Sequence, residues 1–489
     1  MADRPHSSAL SPQESRQTAL GQSIAPLAKA HPEKSGIYAL PSGAGSFITR
    51  LELAEASEST LDVQYYIWRG DLTGMLLFGA LQEAAERGVR VRLLLDDFTT
   101  RSIDQTLITL HDHENIEVRL FNPFVYRGSR AWGFITDFSR ANRRMHNKSF
   151  TADAQATIIG GRNIDDSYFG AADGYLFADL DVLAVGPVVR ELSGDFDRYW
   201  VSYSAYPADR IIRKSPDPQK LCSKLHDVRQ SREAETFLSG AQEGMVIREL
   251  LEGTLDLIWA PTRIVSDDPA KGLGLAKPEG LIGHQLQTII GVPTTDVELV
   301  SPYFVPTQAG TRALVALAQK GVEVRVLTNS LDATNVPLVH SGYAKRRKAL
   351  LRGGVTLYEM KRLPAVEERP MRGPGPLGSS GSSLHAKTFS VDRKRVFVGS
   401  FNFDPRSVNL NTELGLVIKS PELASQIEQS FTARVPENAY EVRLDDRGRL
   451  YWLEQTKEGI IRHDREPNTG FWQRQRVRFF AFMPIEWLL

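Results

Sequence analysis

Cysteine is almost missing. Cys222 is the single one among 489 residues, so no intrachain disulfide can form, and a reducing compartment suits the chain. An excess of charge of either sign is missing too: 59 Lys plus Arg balance 59 Asp plus Glu. Nucleic-acid binders ordinarily carry a basic excess, so no nucleic-acid partner is expected, although a local basic patch stays open. No window holds about 20 uninterrupted apolar residues, so no transmembrane helix is expected and membrane contact has to be peripheral. The opening stretch, MADRPHSSALSPQESRQTALGQS, lacks an apolar run, and no secretory signal is expected. Dense Asp/Glu/Cys clusters are absent as well, so neither a metal nor another cofactor is called for.

What is present is an internal repeat. The β-rich run 61–68 is followed by helical spacing over 75–87, Gly88 as a cap, and a buried strand over 89–95 that ends at Asp96 and Asp97. The second half repeats this order with a strand at 297–305, a helix at 309–320, Gly321 as a cap, and a strand at 322–327 ending at Thr328 and Asn329. A third strand follows in each half, at 116–121 and at 355–358. Strand–helix–strand units imply parallel pairing with a right-handed crossover. The expected division is an N-terminal arm at 1–40, with order beginning near Gly45, a first lobe at 41–205, a connecting segment at 206–290, a second lobe at 291–435, and a C-terminal tail at 436–489. A Gly/Ser/Pro loop over 372–383 precedes the second motif described next.

Each half carries His-x-Lys-x4-Asp: His146, Lys148 and Asp153 in the first, His385, Lys387 and Asp392 in the second. In a strand, residues i and i+2 face the same side, so each His and Lys point together. After equal intervals come Gly160-Gly-Arg-Asn163 and Gly399-Ser-Phe-Asn402. Asn163, Asn402 and Ser400 are candidate phosphate-binding groups. Asp179 and Glu413 also occupy matching places, where a carboxylate would hold an imidazole in one tautomer. Two histidines suit a nucleophile and a general acid, and two lysines suit phosphate oxygens. A lone His in a strand is more often structural, and one copy of the motif would carry little. Two copies in matched repeats carry much more. Asp153 and Asp392 fall on the opposite face of an ideal strand, so they serve either the chemistry or the motif's turn.

At these residues the chain resembles the phospholipase D superfamily. Stretches such as LDVQYYIW, GGRNIDDSYFG, SLHAKTFSVD, GSFNFDPRSVNLNTELG and PIEWLL look like bacterial cardiolipin synthases of the C type. Gly161 is a departure, where many superfamily members have Ser. The resemblance implies an α/β fold with two similar lobes, each a mixed, mainly parallel sheet flanked by helices, related by a pseudo-two-fold and sharing one active site. It implies a phosphohistidine intermediate, with His146 taken as nucleophile and His385 as acid and base. The substrates implied are phospholipids: phosphatidylglycerol, and phosphatidylethanolamine as the other candidate donor. A hydrolase, phosphodiesterase or nuclease of the same superfamily is the alternative, and a membrane scaffold with a decayed site is a further one.

Such an enzyme has to lean on a bilayer, expected at the cytoplasmic face of the bacterial inner membrane. Segment 121–138 and tail 471–489 mix aromatics with arginine and read either as interfacial anchors or as packing against the lobes. Oligomeric state is left open.

Overall fold

The computed structural model describes every residue except 1–6, 126, 128–135, 171–178, 241–244, 335, 363–383, 484–485 and 487–489. The loop at 372–383 therefore lies outside the described residues, as do the middle of segment 121–138 and most of the last six residues.

Two sheets form the frame. The first is built from β1 (Ser35–Leu40), β2 (Thr60–Tyr65), β3 (Arg90–Asp96), β4 (Ile116–Phe121), β5 (Ser149–Ala152), β6 (Ala156–Gly160), β7 (Asp181–Val185), β8 (Ala205–Pro207) and β9 (Ile258–Ala260), in the order β8-β4-β3-β2-β5-β6-β7-β1-β9. The second holds β10 (Thr262–Ser266), β11 (Asp296–Val300), β12 (Glu323–Asn329), β13 (Thr356–Met360), β14 (Thr388–Val391), β15 (Arg395–Gly399), β16 (Leu414–Ile418), β17 (Ala439–Leu444), β18 (Leu450–Thr456) and β19 (Gly459–His463). Its order is β10-β16-β15-β14-β11-β12-β13-β17-β18-β19. The run β4-β3-β2-β5-β6-β7 matches β13-β12-β11-β14-β15-β16 strand for strand, so the sequence repeat is a repeat of topology.

The sheets are mixed, but the balance differs from the expectation of mainly parallel strands. Between the named strands, parallel pairing is confined to β2–β3–β4 and β11–β12–β13, where helices such as Leu72–Glu86 and Thr307–Gln319 make the crossovers. The other described strand pairs are antiparallel. β5 joins β6, and β14 joins β15, through tight turns too short for a crossover.

Order begins earlier than Gly45. The helix Ala19–Ala30 buries Leu20 and Ile24 against the first core, and β1 lies inside the sheet between β7 and β9. The alternation in Ser35–Leu40 was short enough to be hidden by the polar residues before it. The stretch 206–290 does more than connect, since it supplies β9 to the first sheet and β10 to the second. The stretch 436–489 likewise adds β17–β19 to the second sheet before the helix Phe471–Phe482.

One apolar core spans both halves. Ile159, Val182 and Ala184 of β6 and β7 cluster with Val398, Leu414 and Leu416 of β15 and β16. Burying that surface is what makes the lobes one body, and it sets the N-terminal ends of β5 and β14 facing each other. The histidines stand at those ends.

Candidate active site

The two histidines find their carboxylates across the lobe interface. His146 Nδ1 lies 2.8 Å from Glu413 Oε2 of the second half, and His385 Nδ1 lies 2.7 Å from Asp179 Oδ2 of the first. The exchange is enforced by backbone. Met145 makes a parallel bridge to Thr412, His146 N–H donates to Thr412 O at 2.9 Å, and Thr412 N–H donates to Arg144 O at 2.9 Å. The chain entering the first motif is thereby zipped to the chain entering Glu413. With Nδ1 engaged by an acceptor, the Nε2 of each ring is the nitrogen left for chemistry.

Lys148 and Lys387 are buried beside the rings, and each ammonium donates to the carbonyl of its own motif's histidine. Lys387 Nζ also lies 2.8 and 2.9 Å from the two ring nitrogens of His385. Crowding two cations into a buried site depresses the basic groups of both motifs. Burial, with Lys148 and Lys387 nearby, pushes the His146 imidazole well below its ordinary value. Burial takes His385 down to about 4, with Asp179 opposing. Burial also lowers Lys387 to about 8 and takes Lys148 well down.

The carboxylates diverge. Burial raises Glu413 to about 7 despite the pull of Lys148. Burial works against ionisation of Asp179 too, but His385, Lys387 and Arg162 outweigh it and hold the carboxyl well below the usual range. The site's own side chains are thus short of negative charge, which a phosphodiester would supply.

The family model described as "Cardiolipin synthase, PLD-like domain" matches this chain twice, over residues 50–200 and 286–435. The chain belongs to this family. Cardiolipin synthase C of Escherichia coli (strain K12) is 48% identical over 475 residues, 96% of this chain and 99% of that protein. An uncharacterized protein of Helicobacter pylori (strain J99) is 31% identical over 475 residues, 96% of this chain and 92% of its own length. The crystal structure of phosphatidylserine synthase from Haemophilus influenzae Rd KW20 superposes with a TM-score of 0.58 at 12% identity, covering 96% of this chain and 100% of that one. That last likeness is one of fold.

Within the family motif, Asp153 and Asp392 stand apart from the histidines, so of the two roles expected for them, chemistry or turn, the structure places them in the turn. Each occupies the first position of the tight hairpin turn after β5 or β14, with positive φ at Asp153 (52°), Ala154 (51°), Asp392 (54°) and Arg393 (50°). Such turns suit Asp and Asn. Asp153 accepts from the backbone N–H of Ser59 and Thr60 at 2.8 Å and of Glu58 at 3.0 Å. Asp392 accepts from Thr294 at 2.7 Å and Thr295 at 2.8 Å. Four strand residues, roughly 17 Å of extended chain, separate each Asp from its lysine.

Ser400 also differs from its expected role. Its hydroxyl donates to Glu413 Oε2 at 2.5 Å, so it is committed to that carboxyl. Ser407 holds Oε1 at 2.7 Å. The departure at Gly161 has a steric reason: a Cβ there would lie 2.2 Å from Asp179 Oδ1. The first half therefore combines Gly with Asp, and the second combines Ser with Glu. Asn163 donates to the Tyr168 hydroxyl at 3.0 Å and accepts from Ile67 N–H at 3.2 Å, while Asn402 is buried beside the second motif.

Two aromatic walls went unread in the sequence. Tyr66 meets His146 edge-on with centroids 5.0 Å apart, and Tyr168 meets His385 at 4.8 Å. A signal existed for one of them, because Tyr66 and Tyr303 follow matching strands in the two halves. Tyr168 had none, since Ser407 stands at its counterpart position. Among the described residues, no three His, Cys, Asp or Glu side chains gather to hold a metal ion. No described helix is long and apolar enough to cross a membrane.

Proposed function

We propose that the chain transfers a phosphatidyl group from one phospholipid to the headgroup hydroxyl of phosphatidylglycerol, forming cardiolipin. The observation that carries this reading is the crossed pair of His–carboxylate dyads, with two buried lysines between them. The 48% identity to cardiolipin synthase C of E. coli supports the choice of acceptor.

His146 Nε2 attacks phosphorus, and the bond to the headgroup oxygen breaks as His385 delivers a proton to it. The phosphohistidine is then attacked by the phosphatidylglycerol hydroxyl, whose proton returns to His385 as His146 leaves. Lys148 and Lys387, with the amides of Asn163 and Asn402, face the non-bridging oxygens, where fixed charge is worth most in a site with little water. The electrostatics support this division of roles. The ionised Asp179 favours a proton on His385, and burial, with Lys148 and Lys387 nearby, keeps the lone pair of His146 free.

The enzyme works from the membrane surface, on the cytoplasmic face, with the helix Phe471–Phe482 among its contacts. Purified protein with radiolabelled phosphatidylglycerol vesicles, alone and mixed with phosphatidylethanolamine, tests the reading beside His146→Ala. Cardiolipin formed by the wild type and lost in the variant is expected, and the mixture names the donor. Phosphatidic acid as sole product would replace the transferase reading with a hydrolase.

A further inference from the structure

Each catalytic motif is reached through a long connection, from Phe121 to Ser149 in the first half and from Met360 to Thr388 in the second. A ring whose nitrogen must be aimed to within a fraction of an ångström needs an anchor where its chain arrives. The structure holds such an anchor in both halves, at equivalent positions. Asp96 is the last residue of β3, and Asn329 is the last residue of β12. Asp96 pairs with the last residue of β4, Phe121, and Asn329 with the last of β13, Met360.

Asp96 Oδ2 accepts from the N–H of Met145 at 2.8 Å, and Asn329 Oδ1 accepts from the N–H of Leu384 at 3.1 Å. Met145 and Leu384 are the residues immediately before His146 and His385. Asn329 completes its clamp by donating from Nδ2 to Leu384 O at 3.0 Å. Asp96 instead takes Arg144 and Phe98 N–H on its second oxygen, at 3.2 and 2.8 Å. Both side chains are buried, at 0% and 2% exposure, so water does not compete for these bonds. One half uses an acid with a guanidinium partner and the other a neutral amide. What they share is an acceptor on the N–H that precedes the histidine.

We propose that Asp96 and Asn329 are paired positioning residues, which fix the main chain ahead of each histidine and so aim its Nε2 at phosphorus. The proposal rests on the reading that His146 and His385 carry the transfer. It accounts for two unlike side chains at one topological position by the single bond they have in common.

The test is steady-state cardiolipin formation on phosphatidylglycerol vesicles by Asn329→Leu, Asp96→Leu and Asp96→Asn, with thermal melting of each and His146→Ala alongside. Asp96→Asn installs the second half's residue in the first and keeps the acceptor. Expected is a fall in kcat of about 10- to 100-fold for both leucine variants, with KM within about twofold of wild type. Asp96→Asn should recover most of the loss. A leucine variant that is folded by melting and within about threefold of wild-type kcat overturns the proposal. So does a loss carried by KM, or one that Asp96→Asn shares in full. If His146→Ala kept full activity, the reading beneath the proposal would fall instead, which is a different result.

Discussion

Glu413 titrates near 7 and Lys387 near 8 because burial works on both, raising the acid and lowering the base. The signs are opposite in effect. Below about 7 the glutamate is protonated and no longer offers an anion to the His146 imidazole; above about 8 the lysine loses the charge that phosphate needs. Transfer should therefore rise through about 7 and fall above about 8, and a kcat/KM profile checks it. Glu413→Gln should lower the maximum and remove the acidic limb, while leaving the basic limb in place. Asp153 belongs to the same scale. Replacing it with Ala leaves its three backbone donors unanswered, at a cost of roughly 1–3 kcal/mol of stability. The melting temperature should drop while kcat of the folded protein holds. A kcat loss at unchanged melting temperature would return the residue to the chemistry.

The helix Phe471–Phe482 shows what an element adds. At 3.6 residues per turn, Phe471, Trp472, Phe479 and Phe482 share one side, with exposures of 57%, 81%, 64% and 90%, and Val477 lies opposite at 3%. The buried side packs on the helix Pro337–Ala344, and Gln473 donates to Leu331 O at 3.0 Å, two residues past the end of β12. Of the two alternatives left by the sequence, packing on the lobe holds for one face of this helix, while the other face presents aromatics outward, with Arg476 and Arg478 at its flanks. Trp472→Ser with Phe479→Ser and Phe482→Ser should reduce co-sedimentation with anionic liposomes, while turnover of a short-chain soluble substrate is retained. Unchanged co-sedimentation would leave the face to another partner. β1 makes the opposite point, for its six residues become a sheet interior only because β7 and β9 lie on either side of it.

At the scale of the whole molecule, the exchange of carboxylates between halves predicts a pattern in solution. By histidine NMR, Glu413→Gln should disturb the titration of His146 more than that of His385, and Asp179→Asn the reverse. Pairing within each half would invert both results. The sequence by itself determined that the protein has two like halves, and that His146 and Lys148, and His385 and Lys387, share a face, because strand periodicity acts over two residues. It determined as well that Asp179 and Glu413 stand in matching places. Which histidine each would serve was a question of 206 and 267 residues of separation, which local periodicity does not reach. The clamp at Asp96 and Asn329, the turn role of Asp153 and Asp392, and the turning of Ser400 onto Glu413 were likewise decided in three dimensions. Each depends on a backbone N–H or carboxylate of the same half that arrives only when the strands of that half pair into their sheet.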